Sequence, residues 1–180
     1  MSAAPARGTG DQLVLGGALI TTALLAGLYY GWAVSVMPGL ARTADVSFVE
    51  SIQEMNEAIV NPAFMVAFLG APALSLAAYL QARRRRGEDR SRRVGRLLLA
   101  ALVLNVAGLL MTAGANVPLN DQLKAFGDPH AATAAQVATA REAFEGPWTR
   151  RHLLRTGLTV GALGCLGAAA LVDRGAGRRD

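Results

Sequence analysis

Four of the five asparagines in this 180-residue chain fall in two short polar motifs, MNEAIVNP at Met55–Pro62 and NVPLND at Asn116–Asp121. An amide is costly in apolar surroundings unless its donors and acceptor are hydrogen-bonded. Asn56, Asn61, Asn116 and Asn120, each beside a long uncharged stretch, therefore mark a place where polar side chains converge. A third cluster, Trp148–Arg155 (WTRRHLLR), adds an indole, a histidine and three arginines. Arg155 borders the last uncharged run, about one turn into the expected membrane span. A charge so placed faces a bundle interior or a polar cavity and takes a partner, for which Asp121 and Glu54 are the candidates. His152 lies three residues before Arg155, on the same helical face. Such a set either lines a pocket open to one leaflet or pins helices in register. Asn61 also reads as a helix N-cap, Asn116 and Asn120 as helix-end and turn residues, and Trp148 as an interfacial anchor.

The elements that must position these residues are membrane spans. The chain is 52% hydrophobic and only 17% charged, with a mean hydropathy of +0.31, too apolar for an ordinary soluble domain. Charge is absent from Leu13–Met37, Ala58–Ala82, Leu97–Asn120 and Thr156–Val172, and about 20 apolar residues cross a hydrocarbon core. The expectation is an all-α integral membrane four-helix bundle with short amphipathic helices in the outer loops. Its spans are placed at about 13–37, 61–81, 97–115 and 154–172, after a disordered stretch 1–12 and before a tail 173–180. Eight arginines lie between the second and third spans, at positions 83–86, 90, 92, 93 and 96. With Arg7, Arg174, Arg178 and Arg179 they put twelve basic against five acidic residues on one side. By the positive-inside rule both termini and this loop are cytoplasmic, in a multi-pass plasma-membrane protein whose asparagine motifs face outward. The same distribution argues against nucleic acid as the partner of the net +5 charge and leaves anionic lipid headgroups as a secondary one. The first span is read as retained, being longer than a signal-peptide core.

Local signals fill in the loops. Pro38-Gly39 is expected to end the first helix, Asn116-Val117-Pro118 the third, and Gly146-Pro147 to break the Ala-rich helix before the fourth. Asn61-Pro62 opens the second span, which Pro72 kinks. Ser47 with Glu50 forms a capping-box pattern ahead of an apolar stripe at Phe48, Ile52, Met55 and Ile59. Tyr29, Tyr30 and Trp32 read as an aromatic belt, and the glycines of spans one and four as close-packing faces. Asn105, in mid-span, needs a partner on a neighbouring helix. The lone Cys165 makes no internal disulfide. No phosphate loop, dinucleotide fingerprint, HExxH or CxxC is present, so no metal site and no cofactor are expected.

The run YYGWAVSVMPGL, then FVESIQEMNEAIVNPAF, NVPLND and WTRRHLLRT, in this order, resembles the anthrone oxygenase family of small four-span membrane proteins, over about residues 15–172. The resemblance implies cofactor-independent oxidation of an anthrone to an anthraquinone by O2. On that reading His152 or Asp121 is the base and Arg155, Asn116 and Asn56 hold the oxyanion or carbonyl. Asn61, Asn120 and Trp148 complete the substrate contacts, and the partner is a lipophilic small molecule arriving through lipid. The family pattern at the fourth span runs Trp, two or three residues, Asn, two residues, Arg. Here His152 stands at the asparagine and offers a ring nitrogen in place of an amide. Non-catalytic binding of a lipophilic ligand or partner is the alternative, and self-association into a homo-oligomer is left open. The topology has its own test: an epitope tag within residues 83–96 should be reached by antibody only after the membrane is permeabilised, and labelling of intact cells would reverse the orientation.

Overall fold

A computed structural model of the chain describes residues 8–84 and 89–174, and among them every regular element is helical. Helix α1 (Thr9–Gly31) runs through a π-helical segment, Trp32–Val36, into α2 (Met37–Leu40). After a turn come α3 (Asp45–Ala58) and α4 (Pro62–Arg84). Helix α5 (Asp89–Met111) passes through a second π segment, Thr112–Asn116, into α6 (Val117–Ala125), and α7 (Ala134–Arg174) closes the fold. Four stretches are long and apolar enough to cross a membrane: Thr9–Leu40, Pro62–Arg84, Arg92–Ala125 and Ala134–Val172. The protein is an all-α helical membrane bundle. Around the ring α1 packs on α4, α4 on α5, α5 on α7, and α7 back on α1.

The buried positions show why these helices associate. Helix α1 buries Leu15, Ala18, Thr22, Leu25 and Tyr29, and α5 buries Val94, Leu98, Ala101, Asn105 and Gly108. Steps of three and four put one stripe per helix on the seam of a left-handed bundle. One core cluster joins Leu15, Ala78, Leu98 and Leu166 toward the end where α1 starts, called inner for its place in the bundle. Another joins Met37, Phe48, Ile52, Leu119, Phe144 and Trp148 at the opposite end, called outer, where α2, α3 and α6 lie. Between them Asn105 donates to Thr22 Oγ1 (3.2 Å) and Ser75 Oγ (3.0 Å), the interhelical partners that a mid-span amide requires.

Several helix ends differ from the sequence expectations. Neither Pro38-Gly39 nor Val117-Pro118 stops its helix, because each proline is absorbed by the π segment before it. Gly146-Pro147 does not break α7, which continues for 41 residues. At 1.5 Å per residue it measures about 60 Å against a hydrocarbon core of about 30 Å, so its first turns stand outside the membrane. There Val137, Phe144 and Trp148 are buried in the outer core cluster, and that packing holds the helix across its proline. Helix α1 starts at Thr9, inside the stretch expected to lack structure, and α5 takes in part of the arginine run; residues 1–7, 85–88 and 175–180 lie outside the described residues. Ser47 is no cap, since α3 starts at Asp45 with Ala44 at its N-cap. A reciprocal capping box does occur at α7, where Thr133 N–H donates to Gln136 Oε1 (2.9 Å) and Gln136 N–H to Thr133 Oγ1 (3.4 Å).

Of the glycines expected to pack closely, a Cβ on Gly27, Gly31, Gly157, Gly164 or Gly167 would meet nothing, whereas one on Gly161 would lie 3.4 Å from Leu104 Cδ1 of α5. Closer approaches join α1 and α4, where a Cβ on Gly17 would lie 3.1 Å from Leu74 Cδ1 and one on Gly70 3.2 Å from Thr21 Cγ2. Replacing Asn105 with Ala should lower stability by about 1 kcal/mol, the scale of an interhelical hydrogen bond in a membrane. Unfolding in mixed micelles measures it, and an unchanged midpoint would remove the triad from the account.

Candidate functional site

The site is built on one face of α7, where Trp148, His152 and Arg155 follow at helical spacing and are 2%, 0% and 8% exposed. The rings of Trp148 and His152 stack with centroids 4.7 Å apart, and Trp32 packs on both. The indole N–H of Trp148 donates to Asn120 Oδ1 (2.9 Å). Arg155 Nε and Nη2 lie 3.1 and 3.0 Å from His152 Nδ1, and Nη1 donates to Thr112 Oγ1 at 3.3 Å. A guanidinium only donates, so His152 Nδ1 is an acceptor and the ring is neutral, its proton on Nε2. That N–H donates to the backbone carbonyl of Tyr29, 2.9 Å away. The guanidinium also lies over the Tyr29 ring, 4.4 Å from its centroid, and 5.4 Å from that of Trp148, within cation–π range. Among the described residues no carboxylate pairs with Arg155. Asp121 and Glu54, the expected partners, are exposed; the positive charge is met by a neutral ring, a hydroxyl and two aromatic faces.

The two π segments explain how the other helices meet this face. Each begins six residues before a proline, Trp32 before Pro38 and Thr112 before Pro118. A proline in an α-helix lacks a donor and collides with the carbonyl four residues back. Widening the turn relieves this, and Met37 N–H bonds Trp32 O while Val117 N–H bonds Thr112 O. The extra residue advances the buried stripe by one position, so that Thr112 is followed inside by Asn116, Leu119 and Leu123. Helix α7 reads both interruptions: His152 reaches Tyr29 O at the first, and Arg151 Nη1 donates to Ala115 O (2.7 Å) at the second.

Asn116 is fully buried, and neither its Oδ1 nor its Nδ2 has a hydrogen-bond partner; Asn56 Nδ2 is likewise buried and unpaired. An orphaned buried amide costs about 1–3 kcal/mol, which a polar group arriving at the site would recover. Asn116 is one turn from Thr112, which already receives Arg155. Asn56 lies on α3, whose Gln53 donates to Leu123 O and Gly127 O beside α6. Gly127, at φ 82°, supplies the left-handed turn that ends α6. The α3 stripe packs on protein rather than on lipid, with Phe48, Val49 and Ile52 fully buried. Arg141 secures this cap: it donates to Ala41 O, Thr43 O, Asp45 and Glu145, and its guanidinium covers the Phe48 ring at 4.5 Å.

Thus Trp148, His152, Arg155, Asn116 and Asn120 come together at the outer end of the bundle. Asn61 does not join them: it is exposed, and its amide caps α4, donating to Ala58 O and accepting from Phe64 N–H. Asp121 is exposed on α6, on the face opposite the buried Leu119 and Leu123. Sequence reasoning missed Tyr29, Trp32 and Thr112, while Arg151 lies within the Trp148–Arg155 cluster it singled out. Tyr29 was assigned to an aromatic belt although it continues the stripe Leu15, Ala18, Thr22, Leu25 at strict heptad steps, a signal that places it inside.

Fold and site together define a four-span membrane protein with a capped outer end and a buried guanidinium-centred polar cluster. Residues 61–165, more than half of the chain, match the family model described as anthrone oxygenase, and the chain belongs to that family. No curated protein and no solved structure matches it. The match contains Thr112, Asn116, Trp148, His152 and Arg155, while Tyr29, Trp32 and Asn56 precede it. Changing His152 to Ala leaves Arg155 and the Tyr29 carbonyl short of partners and should cost about 2–4 kcal/mol. His152→Asn, which keeps an acceptor, should cost less; thermal unfolding in detergent compares the two, and equal losses would show that ring packing rather than hydrogen bonding is at stake.

Proposed function

We propose that this protein is a membrane oxygenase converting an anthrone, or a related polycyclic ketone with an acidic benzylic methylene, into the quinone, using O2 and no cofactor. The observation that carries this reading is Arg155, a buried cation with no carboxylate partner among the described residues and with N–H donors to spare. A guanidinium held in this way favours an arriving anion. Removing the methylene proton of an anthrone creates such an anion, aromatic and with its charge on the carbonyl oxygen. The ring of Trp32, only partly buried beside this cluster, suits a flat polycycle.

On this reading the guanidinium turns from His152 to the substrate oxygen, which frees Nδ1 to take the methylene proton. The unpaired amide of Asn116 adds a donor to the same oxygen or to a ring substituent. The carbanion gives an electron to O2, the two radicals join as a peroxide anion at the former methylene, and this takes the proton back from His152 to become the hydroperoxide. Loss of the remaining hydrogen with cleavage of the O–O bond leaves the second carbonyl and releases water. One anthrone and one O2 thus become one anthraquinone and one water. Asp121 and Asn61, both exposed and outside the cluster, are given no step. The arginine asymmetry supports placing this site at the outer face of a plasma membrane, with both termini cytoplasmic and the substrate drawn from lipid.

One observation favours the alternative of a non-catalytic protein that binds a lipophilic ligand or partner: Trp148, Arg151, His152 and Arg155 already bond to neighbouring helices. An aerobic assay with anthrones, following quinone absorbance, separates the two. The oxygenase reading expects a rate above spontaneous oxidation that falls by about 100-fold or more in Arg155→Ala, the scale of losing an oxyanion donor. A wild-type rate no faster than the blank, or one indifferent to Arg155, would leave the binding reading.

A further inference from the structure

One layer deeper than the polar cluster lies a small, half-open pocket. Tyr29 of α1, Phe68 and Pro72 of α4, Asn105 of α5 and Thr159 of α7 line it. Its volume is ≈ 10 Å³, about the least that one water needs.

The lining is short of donors. Both amide hydrogens of Asn105 are taken, by Thr22 and Ser75, which leaves its Oδ1 without a donor. The Thr159 hydroxyl donates to Arg155 O (2.9 Å) and keeps only lone pairs for a guest. Pro72 sits inside α4 and has no N–H, so the carbonyl four residues back, on Phe68, lacks its helical donor. Acceptors left without donors are costly at membrane depth. A guest that brings two protons relieves them, and the Tyr29 hydroxyl, which both donates and accepts, completes its shell. A buried water makes two to four such bonds. An apolar guest would leave all of these acceptors unpaired.

We propose that this pocket binds a single ordered water that ties the proline site of α4 to Asn105 and to Tyr29, and that Tyr29 is a positioning residue for Arg155. The Arg155 guanidinium rests on the Tyr29 ring, 4.4 Å from its centroid. A water holding the hydroxyl end fixes the tilt of that ring, and with it the bearing of the guanidinium. The mid-span triad of Asn105, Thr22 and Ser75 and the outer cluster then form one polar network. The inference needs no substrate and stands apart from the oxygenase reading.

The test is NMR of methyl- and arginine-labelled protein in lipid nanodiscs, reading magnetisation transfer from water. The Ala71 methyl, at the pocket, should show a water cross-peak several-fold stronger than that of Ala101, fully buried one turn inward on α5. Gly108→Ala puts a methyl into the pocket, 3.6 Å from Thr159 Oγ1, an ordinary contact. It should erase the Ala71 cross-peak and leave the unfolding midpoint close to that of the wild type. Tyr29→Phe keeps the ring and should weaken the cross-peak several-fold. In both variants the Arg155 Nε–H resonance should move, although the methyl added at Gly108 meets Thr159 and not Arg155. Equal cross-peaks at Ala71 and Ala101, or an Ala71 cross-peak that persists in Gly108→Ala, would overturn the water site. An Arg155 resonance that stays in place when the water is lost would overturn the positioning role. A bound water in a protein that oxidises no anthrone supports the proposal and sinks the oxygenase reading alone.

Discussion

The outer half of this bundle is organised by one unpaired cation. A guanidinium removed from water costs several kcal/mol unless its donors are satisfied, and Arg155 meets that requirement without a carboxylate. Its donors go to His152 and Thr112 and its face to Tyr29. Because His152 must accept from Arg155, it must donate through Nε2, and the donor reaches the backbone of α1. One charge on α7 thereby fixes the tautomer of a histidine, the rotation of α7 against α1, and the position of a hydroxyl on the π segment after α5.

The two Xaa-Pro steps are the other half of that constraint. If α1 and α5 kept α-helical winding to their ends, the buried stripe would run on from Thr112 to position 115 rather than to Asn116. The π turns accommodate the prolines and move the stripe, and the same adjustment presents the carbonyls that Arg151 and His152 use. The spare positive charge and the unsatisfied amide of Asn116 stand at that junction. An enzyme that stabilises an anion needs such an arrangement, donors fixed before the charge appears.

Much of this was legible in the sequence. Four uncharged runs of spanning length give the all-α membrane bundle, and heptad spacing gives the buried stripe of α1. The polar convergence of Trp148, His152, Arg155, Asn116 and Asn120 was also readable, since amides and charges have few alternatives beside hydrocarbon. The helix ends were not. Proline reads as a stop at residues 38, 118 and 147, and in each case tertiary packing or a widened turn overrides it, a competition that local sequence does not record. The partner of Arg155 was sought among carboxylates because charge pairing is the usual solution. A histidine held neutral by the backbone of another helix depends on three-dimensional placement alone. Asn61 shows the opposite case, in which the local signal, an N-cap before proline, was the whole explanation.

Arg155 is the anchor on which binding of an aromatic oxyanion depends. The most direct measurement uses a hydroxyanthraquinone, whose visible band moves to longer wavelength when its phenol ionises. Titrated into purified protein at a pH where the free compound is neutral, it should develop the ionised band in the wild type and not in Arg155→Gln. A spectrum that stays neutral on the wild type, or one that ionises equally on the variant, would contradict the assignment of Arg155 as the anion anchor.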